Sequence, residues 1–125
     1  VLIVEDNKIN MLLAKTLVKQ IIPNSTIFEA VDGQEAIEQF KKTDPSIIFM
    51  DIQMPVMNGF ESTLAIRKLE GEKSETPIIA MTANVLKEEV DLCYQAGMND
   101  FIGKPFDTNE LIQKIYNLKR KTHDS

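Results

Sequence analysis

The chain has 125 residues, enough for one domain with its own core and too few for two. Apolar residues make up 43% and charged residues 26%, the balance of a soluble globular protein. The net charge of -5 argues against a nucleic-acid-binding surface, the single cysteine excludes an internal disulfide and fits a reducing compartment, and no apolar run reaches the roughly 20 residues that span a bilayer.

The chain opens at Val1-Leu2-Ile3-Val4, already inside an apolar strand and without an initiator Met, the look of a domain cut from a longer protein. That strand ends on Glu5-Asp6. Asn7 caps a helix whose apolar residues Ile9, Leu12, Leu13, Leu17 and Ile21 fall at helical spacing. Pro23-Asn24 breaks it, and Thr26 to Ala30 is a second, weaker strand. Asp32-Gly33 turns the chain into a helix with Ala36, Ile37 and Phe40 on one face, stopped at Asp44-Pro45. Ser46-Ile47-Ile48-Phe49-Met50-Asp51 follows. Four apolar residues in a row leave no wet face, so this strand is buried on both sides and delivers Asp51 to its carboxyl end.

Turn chemistry carries Met54, Val56 and Met57 into a helix that begins near Asn58-Gly59 and includes Phe60, Leu64, Ile66 and Leu69. Pro77 to Thr82 is a fourth strand. A helix from about Leu86 to Ala96, with Leu86, Val90 and Cys93 on one side, stops at Gly97 in a left-handed cap. Cys93 reads there as a small core residue. Asp100 to Gly103 is a short fifth strand, broken by Lys104-Pro105. The last helix opens on a capping-box pattern, Asp107 to Glu110, and buries Leu111, Ile112, Ile115 and Leu118. The domain is set at residues 1-121, with 122-125 as a polar tail. His123 falls in that tail and reads as a solvated residue, and Lys119-Arg120-Lys121 as a solvated helix end.

Five strands alternating with five helices make a parallel sheet with helices on both faces. The flavodoxin-like order 2-1-3-4-5 sets the first and third strands side by side at the switch point, where ligands of open α/β sheets bind. Glu5, Asp6 and Asp51 then meet, and Thr82 and Lys104 lie along the same edge. Three close carboxylates repel unless a cation sits among them. Oxygen donors without His or Cys suit Mg2+. A divalent ion beside a lysine and a hydroxyl suits a phosphoryl group, and Asp51 is placed to be the nucleophile. Each residue has a plainer role: Asp6 near a helix start, Thr82 as a strand residue, Lys104 as a surface lysine. It is their conjunction at one edge that carries the argument.

The stretches Val4-Glu5-Asp6-Asn7, Met50-Asp51-Ile52-Gln53-Met54-Pro55 with Asn58-Gly59, Met81-Thr82-Ala83 and Gly103-Lys104-Pro105-Phe106 resemble, in order and spacing, the response-regulator receiver domain of two-component signalling. The resemblance spans nearly the whole chain. It implies that Asp51 accepts a phosphoryl group from a phosphohistidine of a histidine kinase or histidine phosphotransfer domain. It implies Mg2+ held by Asp6 and Asp51 directly, by Glu5 through water, and by the backbone carbonyl of Gln53. It gives Lys104 the phosphoryl charge, makes the Lys104-Pro105 bond cis, and makes Thr82 and Phe101 the switch pair. Many members carry Tyr where Phe101 stands, so readout through a tyrosine hydroxyl is excluded. Gln53 and Asn84 would tune the lifetime of the phosphate.

The family further implies a switching face built from the fourth helix, fifth strand and fifth helix, and a phosphorylation-dependent dimer through it. It implies no chemistry beyond self-phosphorylation and autodephosphorylation. The motifs are similar to receivers at the ends of hybrid sensor histidine kinases, which sets the expectation of a cytoplasmic domain that touches neither nucleic acid nor membrane. A stand-alone receiver or one from a transcription factor is the alternative parent. A Mg2+-dependent phosphohydrolase of the haloacid-dehalogenase type would need an acid at position 53, where Gln53 stands. A flavin-binding protein would need a phosphate loop where Glu5-Asp6-Asn7 lies. A receiver that binds partners without being phosphorylated would not need the complete set of site residues.

Overall fold

The structure is a computed structural model and describes residues 1-54, 56-70, 76-83, 86-104 and 107-123, with backbone only at 70 and 119-123. Strands β1 (Leu2–Val4), β2 (Phe28–Ala30), β3 (Ile48–Asp51), β4 (Ile78–Thr82) and β5 (Asp100–Gly103) alternate with helices α1 (Lys8–Ile21), α2 (Gly33–Thr43), α3 (Gly59–Glu70), α4 (Lys87–Ala96) and α5 (Thr108–His123). All pairings are parallel, in the order β2-β1-β3-β4-β5. This is the predicted flavodoxin-like sandwich.

Successive strand residues point to opposite faces, which divides the core in two. Ile3, Phe49, Ile79 and Met81 pack with Met11, Val18, Leu111 and Ile115 of α1 and α5. Leu2, Ile48, Met50 and Ile78 pack with Ile37, Ile66 and Cys93 of α2, α3 and α4. Each fully buried aliphatic side chain contributes about 1.5–3 kcal/mol, so the central strands anchor the fold.

The caps follow from local chemistry. The Asn7 side chain accepts from the N–H groups of Ile9 and Asn10. Asp32 accepts from Glu35 N–H. Asp44 takes a left-handed conformation at the end of α2, and Gly97 does so at the end of α4. Asp107 accepts from Asn109 N–H at the start of α5. Asn58 and Glu61 exchange hydrogen bonds across the first turn of α3, a capping box the sequence pattern does not single out.

Four helix faces depart from expectation. In α1 the buried residues are Met11, Ala14, Leu17 and Val18, while Ile9 is 78% and Leu12 65% exposed. Two apolar stripes share this helix, and the one carrying Ala14 lets the backbone lie close to the sheet. Leu64 and Leu69 of α3 are half exposed, and the buried neighbours are Ser62, Thr63 and Ile66. Leu86 precedes α4 and faces solvent, and Ile112 of α5 does too. The fifth helix runs through His123, so His123 ends that helix and does not follow it in a tail.

Candidate functional site

Strand register builds the site. Val4 lies opposite Met50, so Glu5, the next residue, comes level with Asp51. Asp51 lies opposite Met81, and Thr82 opposite Gly103, which places Lys104 one step beyond. The Lys104 N–H donates to the Thr82 carbonyl at 2.8 Å and ties the last two strand ends together. Four chain segments far apart in sequence thus lay Glu5, Asp51, Thr82 and Lys104 along one edge.

Asp51, Glu5 and Thr82 are all buried. Asp6 is exposed at the rim. Carboxylate oxygens of Glu5, Asp6 and Asp51 lie within 4.8 Å of one another. The Lys104 Nζ sits 2.6 Å from Glu5 Oε1 and 3.2 Å from Asp51 Oδ2. Backbone amides complete the shell: Asn7 N–H donates to Glu5 Oε2 at 3.2 Å, and Gln53 N–H to Asp51 Oδ1 at 3.3 Å. Asn10, Ile52 and Ala83 help close a cleft of about 230 Å³ around these groups.

The electrostatics follow from burial. Burial pushes the Asp51 carboxyl up to about 7, with the hydrogen bond to Glu5 and its negative charge adding to the rise and Lys104 opposing it. Burial also works to raise Glu5, but its hydrogen bonds with Asp51, Lys104 and Asn7 outweigh that and hold it below its ordinary value. Lys104 would be lowered by burial, yet Glu5 and Asp51 keep it above the usual lysine value. Of the two buried carboxyls, Asp51 is thus the one that favours the proton and Glu5 the one that favours the charge. Once Asp51 is ionised, one ammonium does not balance three carboxylates, and the cleft is short of positive charge.

The donor set answers whether a metal fits. All three side chains offer hard oxygen, two are buried, and no nitrogen or sulfur ligand is among them, which suits a hard divalent cation such as Mg2+. Burial and then Glu5 raise Asp51, so a cation bound there would favour loss of its proton.

The loop after Asp51 is held firmly. Gly59 packs so close that a Cβ on it would lie 2.3 Å from the Asp51 carbonyl oxygen, and its N–H donates to Ile52 O at 3.0 Å. Ser62 Oγ donates to Gly33 O at 2.9 Å, joining α3 to the start of α2. Met54 and Met57 pack against the core, whereas Val56 is 85% exposed with φ at 69°. Gly59 is a positioning residue that motif spacing alone does not explain; the Asn58-Gly59 pair was its only signal.

Phe101 stands away from the cleft on β5, partly buried. The Lys114 Nζ lies 4.7 Å from its ring centroid and pairs with Asp100 Oδ1 at 2.8 Å. Gln53 is exposed at the mouth. Asn84 and Pro105, with the Lys104-Pro105 bond, lie outside the described residues. No helix among the described residues is long and apolar enough to cross a membrane.

Comparison with known proteins agrees with this geometry. Residues 1–116 match the family model of the response regulator receiver domain. The chain is 41% identical over 127 residues to hybrid signal transduction histidine kinase B of Dictyostelium discoideum, covering 92% of this chain and 6% of that protein. It is 35% identical to the sensor histidine kinase GacS of Pseudomonas protegens, covering 92% of this chain and 12% of that protein. It thus spans only a small part of these relatives. Among solved structures it resembles the receiver domain of a sensor histidine kinase from Pseudomonas aeruginosa PAO1, which holds a magnesium ion in its active site cleft. The TM-score is 0.80 and the identity 36%, over 95% of this chain and 93% of that one. It also resembles the Saccharomyces cerevisiae receiver domain of Ssk1 co-crystallised with the histidine phosphotransfer protein Ypd1, with TM-score 0.82 and 32% identity over 91% of this chain and 83% of that chain. The cleft at the carboxyl edge, the order of the strands and the family match over residues 1–116 lead to one conclusion: the chain belongs to the response regulator receiver domain family.

Proposed function

We propose that Asp51 accepts a phosphoryl group from a phosphohistidine, and that the cleft around it is built for that transfer. The observation that carries this is the convergence of Glu5, Asp6, Asp51 and Lys104 within one small, partly buried cleft. An Asp51 oxygen bonds to phosphorus as the donor's P–N bond breaks, and the electron pair leaves with the imidazole. Glu5, Asp6, Asp51 and the backbone carbonyl of Gln53 would hold Mg2+, which supplies positive charge against the phosphoryl oxygens. Lys104, now shared between Glu5 and Asp51, is within reach to pair with the new phosphoryl group. Thr82 lines the same cleft and supplies a hydroxyl.

Phosphorylation adds about -1.5 to -2 charges and several acceptor oxygens. These favour the arrangement in which Thr82 and Lys104 close on the group and Phe101 follows inward. The α4-β5-α5 face then shifts between two packings. Exposed Tyr94, Ile112 and Tyr116 on α4 and α5 support a phosphorylation-dependent dimer through that face. Gln53 at the cleft mouth, with Asn84, would set the phosphate lifetime. The parent protein on this reading is a hybrid sensor histidine kinase whose cytoplasmic portion includes this domain, and the donor is a histidine kinase or histidine phosphotransfer domain. Ile9, Leu12 and Leu13 are exposed at helical spacing on α1, and Leu12 lines a depression that shares Glu5 and Asp6 with the cleft; such a donor would dock on this apolar surface.

The test is intact mass after incubation with Mg2+ and a small phosphodonor such as acetyl phosphate. Wild type gains one phosphoryl group, and Asp51→Asn gains none. Labelling retained in Asp51→Asn would refute the assignment. Ile9→Ser with Leu12→Ser should slow transfer from a phosphohistidine protein and leave the small donor unaffected.

A further inference from the structure

A second, larger depression lies next to the phosphorylation cleft. It has a volume of about 780 Å³, against about 230 Å³ for the cleft itself. It runs between the β3–α3 segment and α4. Ile52, Met54, Phe60, Leu86 and Leu92 give it an apolar floor and walls. Leu86 is 58% and Leu92 49% exposed, so about half of each side chain meets water.

The rim is one-signed. Asp6, Glu88 and Glu89 line the groove, and no lysine or arginine does so among the described residues. Glu88 and Glu89 sit in the first turn of α4, where carboxylates complement the helix dipole. That accounts for two acids on the helix, but not for their sharing a groove with Asp6 of another segment and with exposed leucines. An apolar floor whose charged lining is acidic, with the neutral amides of Gln53 and Asn58 beside it, complements one kind of surface: a segment with apolar residues on one side and Lys or Arg flanking them.

We propose that this groove docks a basic amphipathic helix of a partner protein. Apolar side chains would cover Met54, Phe60, Leu86 and Leu92, and Lys or Arg would face Glu88, Glu89 and Asp6. The groove and the phosphorylation cleft share Asp6, Ile52 and Gln53. An occupant with a cation at Asp6 would compete with a metal ion for that carboxylate. By linkage, a metal in the cleft would weaken the occupant by the same factor. The groove is thus an inlet through which a bound partner damps phosphorylation. The docking itself stands without the phosphoacceptor reading; only this coupling rests on it.

The test uses the isotope-labelled 125-residue chain and a synthetic amphipathic Leu/Lys peptide of about 15 residues, with a Leu/Glu peptide of the same pattern as control. Binding is followed by amide chemical shifts. The expected result is shifts centred on Met54, Phe60, Leu86 and Leu92, no binding of the Leu/Glu peptide, and roughly ten-fold weaker binding in Glu88→Gln with Glu89→Gln. Leu92→Ser should weaken binding with the charges intact. Both variants change side chains that are not buried, and thermal melts would verify the fold. A Mg2+ titration with the peptide present should give a weaker apparent affinity. Shifts centred on α1 or α5, equal binding by wild type and variants, or no binding at millimolar peptide would overturn the docking site. Groove binding that leaves Mg2+ affinity unchanged would overturn the coupling while sparing the site, and failure of Asp51 labelling would remove the damping of phosphorylation while sparing the docking site.

Discussion

Replacing Asp51 with asparagine should stabilise the metal-free protein at neutral and alkaline pH. The buried Asp51 carboxyl is pushed up from its ordinary 3.8 to about 7, first by burial and then by Glu5. A carboxyl whose folded value lies above its unfolded value favours folding only while it holds its proton. That contribution is complete below about pH 4 and drains away as pH rises to about 7. The shift of about three units sets a ceiling of about 4 kcal/mol. Glu5, held low by Asp51 and Lys104, works in the opposite direction and reduces the net to about 1–3 kcal/mol. In Asp51→Asn the amide donates to Glu5 as the protonated acid does, with no charge to develop. For a chain of this length 1 kcal/mol moves the melting temperature by about 4 °C, so the variant should melt about 4–12 °C above wild type at pH 8 in a chelator. The gap should narrow steadily on going down to pH 4. Thermal melts across that range decide it, and Mg2+ should raise wild type more than the variant, because binding to the folded state stabilises it. A gap that ignores pH, or a variant that melts lower at pH 8 without metal, would refute the reading of Asp51 as the carboxyl that favours the proton.

Gly59→Ala would drive a Cβ to 2.3 Å from the Asp51 carbonyl oxygen, so it should cost about 1–3 kcal/mol in denaturant unfolding and weaken Mg2+ binding as Asp51 is displaced. Val56→Asn should stabilise by about 0.5–1 kcal/mol, because a β-branched residue is strained at φ 69° and Asn tolerates that region; an unchanged unfolding midpoint would count against strain there. Lys114→Met removes the ion pair with Asp100 and the cation above Phe101. It should leave stability within about 1 kcal/mol yet broaden or shift the Phe101 ring resonances before any phosphorylation.

The layered architecture was legible because its signals are redundant. The unbroken run from Ile47 to Met50 left no wet face, and alternation of strands and helices left one hand of crossover. The site was legible for the same reason, since each strand end carries a polar residue and parallel register sets those ends in a row. What could not be read is what only packing decides. Ser62 and Thr63 are fully buried in α3 while Leu64 is half exposed, because α3 lies close against α2 and small side chains fit there. Arg67 looks like a solvated helix-end charge. It in fact donates to Gly97 O, Thr76 O and Asn99 Oδ1, and ties α3 to the end of α4 and to the segments that lead into β4 and β5. No spacing rule points to those acceptors, which lie 9, 30 and 32 residues away.

The misread residues of α1 and α4 share a location. Ile9, Leu12 and Leu13 lie in the first turns of α1, and Leu86 directly precedes α4. In a parallel α/β sheet the helices start at the carboxyl edge of the strands, the edge that holds Asp51. Periodicity assigns these residues to the core because it detects apolar spacing and is blind to what the face meets. Burial needs an element opposite, and at this edge each helix begins above a cleft where no further layer follows. The area that large aliphatic side chains leave in water on both sides of the buried carboxyl pair contributes nothing to folding. They gain free energy only when another surface covers them, at about 25 cal/mol per Å² of apolar area removed from water. The places at this edge where core reasoning fails are therefore those where binding should be sought, on the α1 side for a phosphodonor and on the α4 side for the basic segment.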